Sequence, residues 1–181
     1  IASLLKSGQL LINYTGHGNT VSWADEHVWT QNDIEQSTYT RLPVWVTATC
    51  DFTRFDAVTT SAGESVFLNP TSGGIALFTT TRTVESSGNA ALNQRLYQYL
   101  FTPKADGEYR SLGEAMMETK CALTGVNKLN FILIGDPALK MAIPDYQVKV
   151  TTINGASVED GPIKFQALQQ ITVAGEIRTP D

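Results

Sequence analysis

The chain has 181 residues, of which 42% are hydrophobic, enough for one sizeable core and part of a second. Its formal net charge of -5, without any basic stripe, argues against nucleic-acid binding, because nothing is placed to neutralise phosphates. No run approaches the roughly 20 apolar residues that a membrane-spanning helix needs, and two cysteines are too few for a disulfide framework.

The chain begins with a predicted helix over residues 1–7, which Gly8 ends. Because it starts at Ile1 rather than at an initiator Met, we expect it to be a piece of a longer polypeptide. A second short helix is predicted over 30–40, with Thr30 or Asn32 as its N-cap.

Two short apolar runs flank this second helix, and each ends in a residue capable of acyl-transfer chemistry. The run over 10–17 ends in His17, and the run over 43–50 ends in Cys50. Both are β-rich and bounded by turn signals, as buried strands should be. Strand, helix, strand predicts a right-handed crossover with the two strands parallel in one sheet, either as neighbours or with one strand between them. His17 and Cys50 would then share one edge of the sheet, where ligands bind in open α/β folds.

Helices and strands continue to alternate up to about residue 135. A helix over 63–69, ended by Pro70, precedes a third buried strand over 73–80. The remaining predicted elements are amphipathic helices over 89–101 and 111–123, the latter with Ser111 and Glu114 as a capping box, and a short strand over 131–134. This alternation predicts a layered α/β sheet.

The pattern changes after Pro144 to alternating polar and apolar residues without a predicted helix. Three strands are predicted here, over 146–153, 163–168 and 170–177. They are typical of the opening of an all-β sandwich. We therefore divide the chain into an α/β domain over 1–143 and a truncated β-sandwich module over 144–181.

The spacing of His17 and Cys50 predicts a catalytic dyad. A cysteine thiolate is a nucleophile, and an imidazole can take the thiol proton and later give it to the leaving amine. Cys50 at a strand end before a helix could also be influenced by the helix dipole. The backbone amides of Gly18 and Cys50 are natural oxyanion donors. The alternatives are an inert buried cysteine and a histidine whose flanking glycines serve only a bend. Because His17 and Cys50 both fall at matched strand ends, catalysis is favoured over two unrelated accidents.

Other polar residues are weaker candidates. Arg82 and Glu85 follow the third strand and could shape a substrate pocket or be solvated loop charges. His27 could replace His17 as base, but a surface histidine is the simpler interpretation. A metal site is disfavoured, because the acidic and histidine residues at 17 and 25–27 lack any recognised ligand spacing. Cys121 lies in an amphipathic helix and is predicted to be a core residue.

Several blocks of the chain together resemble the gingipain family of cysteine peptidases, which belongs with the caspase-like proteins. The resemblance covers roughly residues 8–143, and the blocks that carry it are Asn13-Tyr-Thr-Gly-His17-Gly18, Trp23, Leu42-Pro43, Ala48-Thr49-Cys50, Gly73-Gly-Ile-Ala-Leu-Phe-Thr-Thr80 and Phe131-Ile-Leu-Ile-Gly-Asp-Pro137. It implies a three-layer α/β/α domain, here partial, followed by an immunoglobulin-like module. It also implies His17 as general base, Cys50 as nucleophile, and Gly18 and Cys50 as oxyanion donors.

The segment after the nucleophile departs from the secreted gingipains. The whole run Thr47-Ala-Thr-Cys-Asp-Phe-Thr-Arg-Phe-Asp56 resembles the type IX secretion sortase (PorU-type) branch of the family. Ser86 stands about where a gingipain has an aromatic pocket wall, so Arg82, Glu85 and Ser86 are the candidate pocket residues.

The sortase resemblance implies an enzyme on the bacterial cell surface, at the outer membrane, that works with other type IX secretion components. Such an enzyme removes C-terminal sorting domains from secreted proteins and can transfer the acyl group to a lipopolysaccharide amine. No cofactor is required for this chemistry, although family members bind structural calcium at a site that no motif here places. An acidic partner of the histidine would lie upstream of Ile1.

Two other functions remain open at this point. One is a secreted, gingipain-like protease that cleaves after Lys or Arg. The other, from a different class, is an inert caspase-like scaffold that serves as a surface adhesion or binding module.

Overall fold

The computed structural model describes residues 1–144 and 146–179 and divides into two compact units, Ile1–Met141 and Ala142–Asp181. In the first unit the helices are α1 (Ala2–Ser7), α2 (Gln31–Gln36), α3 (Ala62–Leu68), α4 (Ser86–Phe101) and α5 (Leu112–Ala122). Its strands are β1 (Leu11–Thr15), β2 (Ser22–Trp23), β3 (Trp29–Thr30), β4 (Val44–Ala48), β5 (Ala76–Thr80) and β6 (Phe131–Ile134). None of the helices in the described part of the chain combines the length and apolar character needed to cross a bilayer.

Four strands of the first unit form one sheet in the order β1-β4-β5-β6. β1, β4 and β5 are parallel, and β6 is antiparallel at the far edge. β4 and β5 are buried at every residue, which explains their continuous apolar and threonine-rich sequences. The strands that lead to His17 and Cys50 are therefore direct neighbours.

One face of the sheet is covered by α1, α2, α3 and the ribbon formed by β2 and β3. Alternate strand residues point to this face, as the period of a pleated strand requires. The core on this side is built around Trp45 and Leu77 together with Leu5, Trp23, Trp29, Ile34, Tyr39, Phe52, Ala62 and Val66. Each strand of this ribbon is only two residues long, too short to give an apolar run that the sequence alone would reveal.

The opposite face is covered by α4 and α5, which pack on each other as well as on the sheet. Asn89 Nδ2 of α4 donates to the Ala48 carbonyl at 3.3 Å, and Asn93 Nδ2 donates to Thr15 Oγ1 at 3.0 Å. The buried helix residues on this side are mainly aliphatic: Leu92, Leu96, Leu100, Leu112, Ala115 and Met116. The first unit thus has the predicted three layers.

The helix ends follow local capping chemistry. Thr30, and not Asn32, is the N-cap of α2, where its hydroxyl and the Asp33 carboxylate form a reciprocal capping box. The predicted capping box of Ser111 and Glu114 is present at α5. α4 begins at Ser86, earlier than predicted, so that Ser86 lies inside the helix.

The second unit is a small antiparallel sheet. Its strands β7 (Gln147–Ile153), β8 (Ala156–Ser157) and β9 (Val173–Arg178) are arranged in the order β8-β7-β9. The predicted strand over 163–168 is wrong, because this segment has no pairing partner among the described residues and alternation alone does not make a strand. That these strands open an immunoglobulin-like domain stays a prediction.

Candidate active site

His17 and Cys50 occupy equivalent positions on neighbouring parallel strands. In the register of the sheet, Thr15 of β1 pairs with Ala48 of β4. His17 and Cys50 each lie two residues beyond this pair, and the Gly16 amide still donates to the Ala48 carbonyl at 3.3 Å. Adjacent strands are roughly 4.8 Å apart, so both residues leave the sheet at one place on its edge.

The two-residue period also directs both side chains to the same face of the sheet. Thr15 and Ala48 face the α4 layer, and residues two positions further on share that direction. His17 and Cys50 accordingly line one cavity of about 240 Å³. The other lining residues are Thr15, Gly16, Val84, Ser86 and Asn89.

Cys50 is half-buried at this edge, and its thiol donates to the Val84 carbonyl at 3.6 Å. The next residue, Asp51, has a positive φ of 54° and its amide donates to the Arg82 carbonyl at 3.2 Å. The expectation that Cys50 stands before a helix is wrong, because the chain forms turns here and α3 begins only at Ala62. No helix dipole therefore acts on the thiol from this segment.

The backbone of His17 is held firmly although its side chain is exposed. Its carbonyl accepts from the Tyr14 hydroxyl at 2.7 Å and from the Ala24 amide at 2.8 Å. The Tyr14 ring stacks on the buried Trp23 with centroids 4.6 Å apart and planes inclined by 6°. Burial, with a contribution from the nearby Glu26 carboxylate, raises the pKa of Tyr14. Its hydroxyl therefore keeps the proton that it donates.

The glycines on either side of His17 provide space and not an unusual backbone conformation. Neither has a positive φ, so the expected sharp bend is not what requires them. A Cβ on Gly16 would lie 2.8 Å from the Tyr14 hydroxyl oxygen, and a Cβ on Gly18 would collide with Thr49 Oγ1. Glycine at both positions therefore lets neighbouring side chains approach the backbone around His17.

The amides of Gly18 and Cys50 are available to an outside acceptor. Within residues 1–144 and 146–179, neither N–H has a hydrogen-bond acceptor. Gly18 faces Trp23 in an isolated antiparallel bridge whose hydrogen bonds are made by Asn19 and Ala24. An oxyanion needs such a free N–H donor. Cys50 belongs to the cavity lining, whereas Gly18 is not among the lining residues.

The three candidate pocket residues have different positions. Ser86 lines the cavity, whereas Arg82 and Glu85 do not. Arg82 forms a bidentate ion pair with Asp56, in which Nη1 donates to Oδ1 at 3.1 Å and Nη2 donates to Oδ2 at 2.8 Å. This pair joins the loop after β5 to the loop after Cys50. Glu85 is exposed, and its amide donates to Asn127 Oδ1 at 2.8 Å.

Two cavity residues, Val84 and Asn89, were missed by the sequence analysis. Asn89 is only 4% exposed. It had been assigned to the start of a helix, where a polar residue needs no further explanation. A signal was nonetheless present, because Asn89 precedes an apolar stripe at Leu92 and Leu96 and therefore shares its buried face.

The second histidine and the second cysteine, His27 and Cys121, lie outside the cavity that His17 and Cys50 line. His27 faces a separate open cavity, and its Nδ1 lies 3.2 Å from Ser22 Oγ, which agrees with the prediction that it does not act with Cys50. Cys121 is exposed, so its predicted core position is wrong. The buried residues of α5 follow a stripe through Leu112, Ala115 and Thr119 that leaves position 121 on the outer side.

Structural calcium stays a prediction of the family resemblance. In the parts of the chain for which the structure gives positions, no three His, Cys, Asp or Glu residues cluster closely enough to hold a metal ion.

The first unit is a sheet flanked by helices that matches the caspase-like fold, with His17 and Cys50 just beyond the ends of adjacent parallel strands. A family model described as "Peptidase family C25" matches residues 1–142, and the chain belongs to this gingipain-type family of cysteine peptidases. No curated protein matches the chain.

Solved structures show the same fold. The chain is similar to the "Complex of Porphyromonas gingivalis RgpB pro- and mature domains" and to the "Crystal structure of the Arg specific cysteine proteinase gingipain R (RGPB)". Each match has 20% identity and a TM-score of 0.67, and covers 82% of this chain and 38% of the other. A third match, titled "Structure of Protease", has 17% identity and a TM-score of 0.59, and covers 83% of this chain and 39% of the other. The chain therefore spans less than two fifths of the length of these structures. The predicted gingipain-like fold is confirmed.

Proposed function

We propose that this protein is a cysteine endopeptidase or transpeptidase that removes C-terminal sorting signals from secreted proteins through a Cys50–His17 dyad. The observation that supports it is the placement of both side chains on one cavity, at matched ends of adjacent strands. Peptide or protein substrates follow from the family. The sorting role rests on the resemblance of residues 47–56 to the type IX secretion sortases. The proposed site of action on the bacterial cell surface rests on the same resemblance.

In the proposed first step, His17 takes the thiol proton of Cys50 and the sulfur attacks the peptide carbonyl carbon. A carbon–sulfur bond forms, and the carbonyl π pair moves to the oxygen, where the amides of Gly18 and Cys50 hold it. The tetrahedral intermediate collapses by breaking the carbon–nitrogen bond. The leaving amine takes the proton from His17 and leaves a thioester on Cys50.

In the second step, an acceptor resolves the thioester. Water yields the free acid, whereas an amine, such as one on a lipopolysaccharide anchor, yields a new amide. In both cases His17 takes a proton from the attacking group, the carbon–sulfur bond breaks, and His17 returns the proton to the sulfur of Cys50. Other type IX secretion components would deliver the cargo to this site.

The test is loss of peptide cleavage when either dyad member is removed from the full-length protein. We expect Cys50→Ala and His17→Ala each to lower kcat by at least about 10³-fold, because groups that act as a unit fail together. His27→Ala serves as the matched control and should leave the rate within about twofold, because His27 faces a different cavity. Cleavage of a sorting-signal peptide by Cys50→Ala at the normal rate would refute the proposal.

Iodoacetamide labelling separates this proposal from an inert adhesion module. Because Cys121 is exposed and would itself react, the experiment uses a Cys121→Ser background. We expect Cys50 to be alkylated much faster with His17 present than in His17→Ala, since the imidazole accepts the thiol proton. Slow labelling that does not depend on His17 would support the inert scaffold.

A further inference from the structure

Each of the two proposed oxyanion donors shares its peptide group with a carbonyl, and both carbonyls accept hydrogen bonds in the structure. The N–H of Gly18 shares a planar group with the carbonyl of His17, and the N–H of Cys50 shares one with the carbonyl of Thr49. In a trans peptide the C=O and N–H bonds point in opposite directions, and the described residues contain no cis peptide. Whatever holds the carbonyl therefore also sets the direction of the N–H.

The carbonyl of Thr49 accepts a hydrogen bond from the Thr80 hydroxyl. Thr80 ends β5 and is completely buried, so its hydroxyl cannot be replaced by bulk water. Because the bond approaches Thr49 from the β5 side, the Cys50 N–H must point away from β5. That N–H has no acceptor in the described part of the chain.

The carbonyl of His17 is held in the same way by the Tyr14 hydroxyl at 2.7 Å, with the Ala24 amide as a second donor at 2.8 Å. Stacking on Trp23 fixes the Tyr14 ring, and the absence of a side chain on Gly16 leaves room for its hydroxyl. The Gly18 N–H consequently points away from Tyr14 and Ala24.

We propose that Thr80 and Tyr14 are positioning residues that aim and polarise the amides of Cys50 and Gly18 toward the oxyanion. This inference rests on the proposed peptidase function and deepens it. A hydrogen bond received by a carbonyl strengthens the donor at the other end of the same peptide group, since such bonds polarise one another. Both residues act on the transition state through the backbone and do not touch the substrate.

Two small reagents that do not depend on substrate specificity separate this role from a general structural one. Acylation of Cys50 by p-nitrophenyl acetate passes through a tetrahedral oxyanion, in which the carbon–sulfur bond forms before p-nitrophenolate leaves. Alkylation by iodoacetamide displaces iodide and develops no oxyanion. The ratio of the two rate constants therefore reports on the oxyanion site alone.

The experiment uses the full-length protein in the Cys121→Ser background, with Thr80→Val and Tyr14→Phe as the test variants. Each removes a hydroxyl and keeps the shape of the side chain. Thr119→Val and Tyr39→Phe are matched controls, because their hydroxyls donate to Ala115 and Gly73, which do not line the Cys50 cavity. Thr80→Ser keeps the hydroxyl and tests for rescue.

We expect each test variant to lower the acylation rate constant about tenfold, less than the loss of a whole oxyanion donor. The alkylation rate constant should stay within about twofold, and both controls and Thr80→Ser should match the parent. A parallel fall of both rate constants, or no fall in either, would overturn the inference. If alkylation of the parent is itself unaffected by His17→Ala, the dyad proposal fails instead, and the inference fails with it.

Discussion

The Gly16-His17-Gly18 triplet is best understood by what surrounds it. Tyr14 reaches over Gly16 to bond the His17 carbonyl, while Thr49 and the backbone of Ser22 approach Gly18. A methyl group at either glycine would enter space that these groups occupy. At the residue scale, the glycines thus allow the close packing that holds the backbone of His17.

Gly16→Ala should consequently disturb the same amide as the loss of the Tyr14 hydroxyl. The new Cβ would lie 2.8 Å from the hydroxyl oxygen and 3.0 Å from Cζ, and stacking on Trp23 restricts how far the ring can retreat. We expect acylation by p-nitrophenyl acetate to fall about tenfold, as an oxyanion donor is misaligned.

A double-mutant cycle checks the cause of that loss. Adding Gly16→Ala to Tyr14→Phe should produce little further loss, because residues that share one interaction are not additive. Combination with Thr119→Val should give simple additivity, since Thr119 bonds within α5. Additive losses in the first cycle would show that Gly16 does not act through Tyr14.

Among the secondary-structure elements, the register of the strands and the caps of the helices account for the positions of the site residues. The parallel register of β1 and β4 places His17 beside Cys50, and α4 places Asn89 and Ser86 over them. α5 packs on α4 and stabilises this layer, and its own start depends on the capping box of Ser111 and Glu114. The cap is therefore a point at which stability and pH are linked.

Glu114→Gln should weaken the pH dependence of stability in acid. The Ser111 amide, followed by Lys104, lowers the pKa of the Glu114 carboxyl in the folded state from the ordinary value of 4.5. A lowered folded pKa stabilises the protein at pH above 4.5, and this contribution is lost as the pH falls through the folded pKa. Urea midpoints measured from pH 6 to pH 3 should therefore decline less steeply in the variant.

Ser111→Ala provides the companion measurement for the cap. It removes the hydroxyl that accepts from the Glu114 amide at 3.2 Å and should lower the free energy of unfolding by about 1 kcal/mol at neutral pH.

Identical pH profiles for the parent and Glu114→Gln would mean that the carboxylate contributes nothing to folding through this cap.

At the scale of the whole molecule, the charges near the site bear on which peptides it takes. The described residues that line the cavity include no carboxylate that could bind a basic side chain. Of the neighbouring acidic residues, Asp56 is paired with Arg82, and Asp51 accepts from Thr83 at 3.1 Å. Glu85 is exposed and lies between Val84 and Ser86 of the cavity lining. Sorting-signal peptides and peptides with Lys or Arg before the scissile bond are therefore the two substrate classes to compare.

A peptide library distinguishes the two substrate classes. We expect the full-length protein to cleave C-terminal sorting-signal peptides at least about tenfold faster, in kcat/KM, than peptides with Lys or Arg before the scissile bond, a difference of about 1.4 kcal/mol in transition-state binding. Cys50→Ala provides the background rate. Strong, general cleavage after Lys or Arg would assign the protein to the secreted protease class instead.

Local patterns in the chain were sufficient for much of this picture. Apolar runs and turn residues predicted β1, β4, β5 and β6, and capping residues predicted the starts of α2 and α5. The same patterns placed His17 and Cys50 at strand ends, because a strand and its end are properties of consecutive residues. The segment over 163–168 and the exposed Cys121 were mispredicted, since pairing and burial depend on distant parts of the chain.

Only the tertiary structure revealed the groups that act from across the sheet. Thr80 contacts the Thr49 carbonyl across 31 residues of sequence, and Asn89 contacts the Ala48 carbonyl across 41. No periodicity records such contacts, because a hydrogen bond between strands or layers depends on register, and register is set when the whole sheet packs. The chemical groups of the site can thus be recognised from the chain, whereas the direction in which its amides point is decided by the fold.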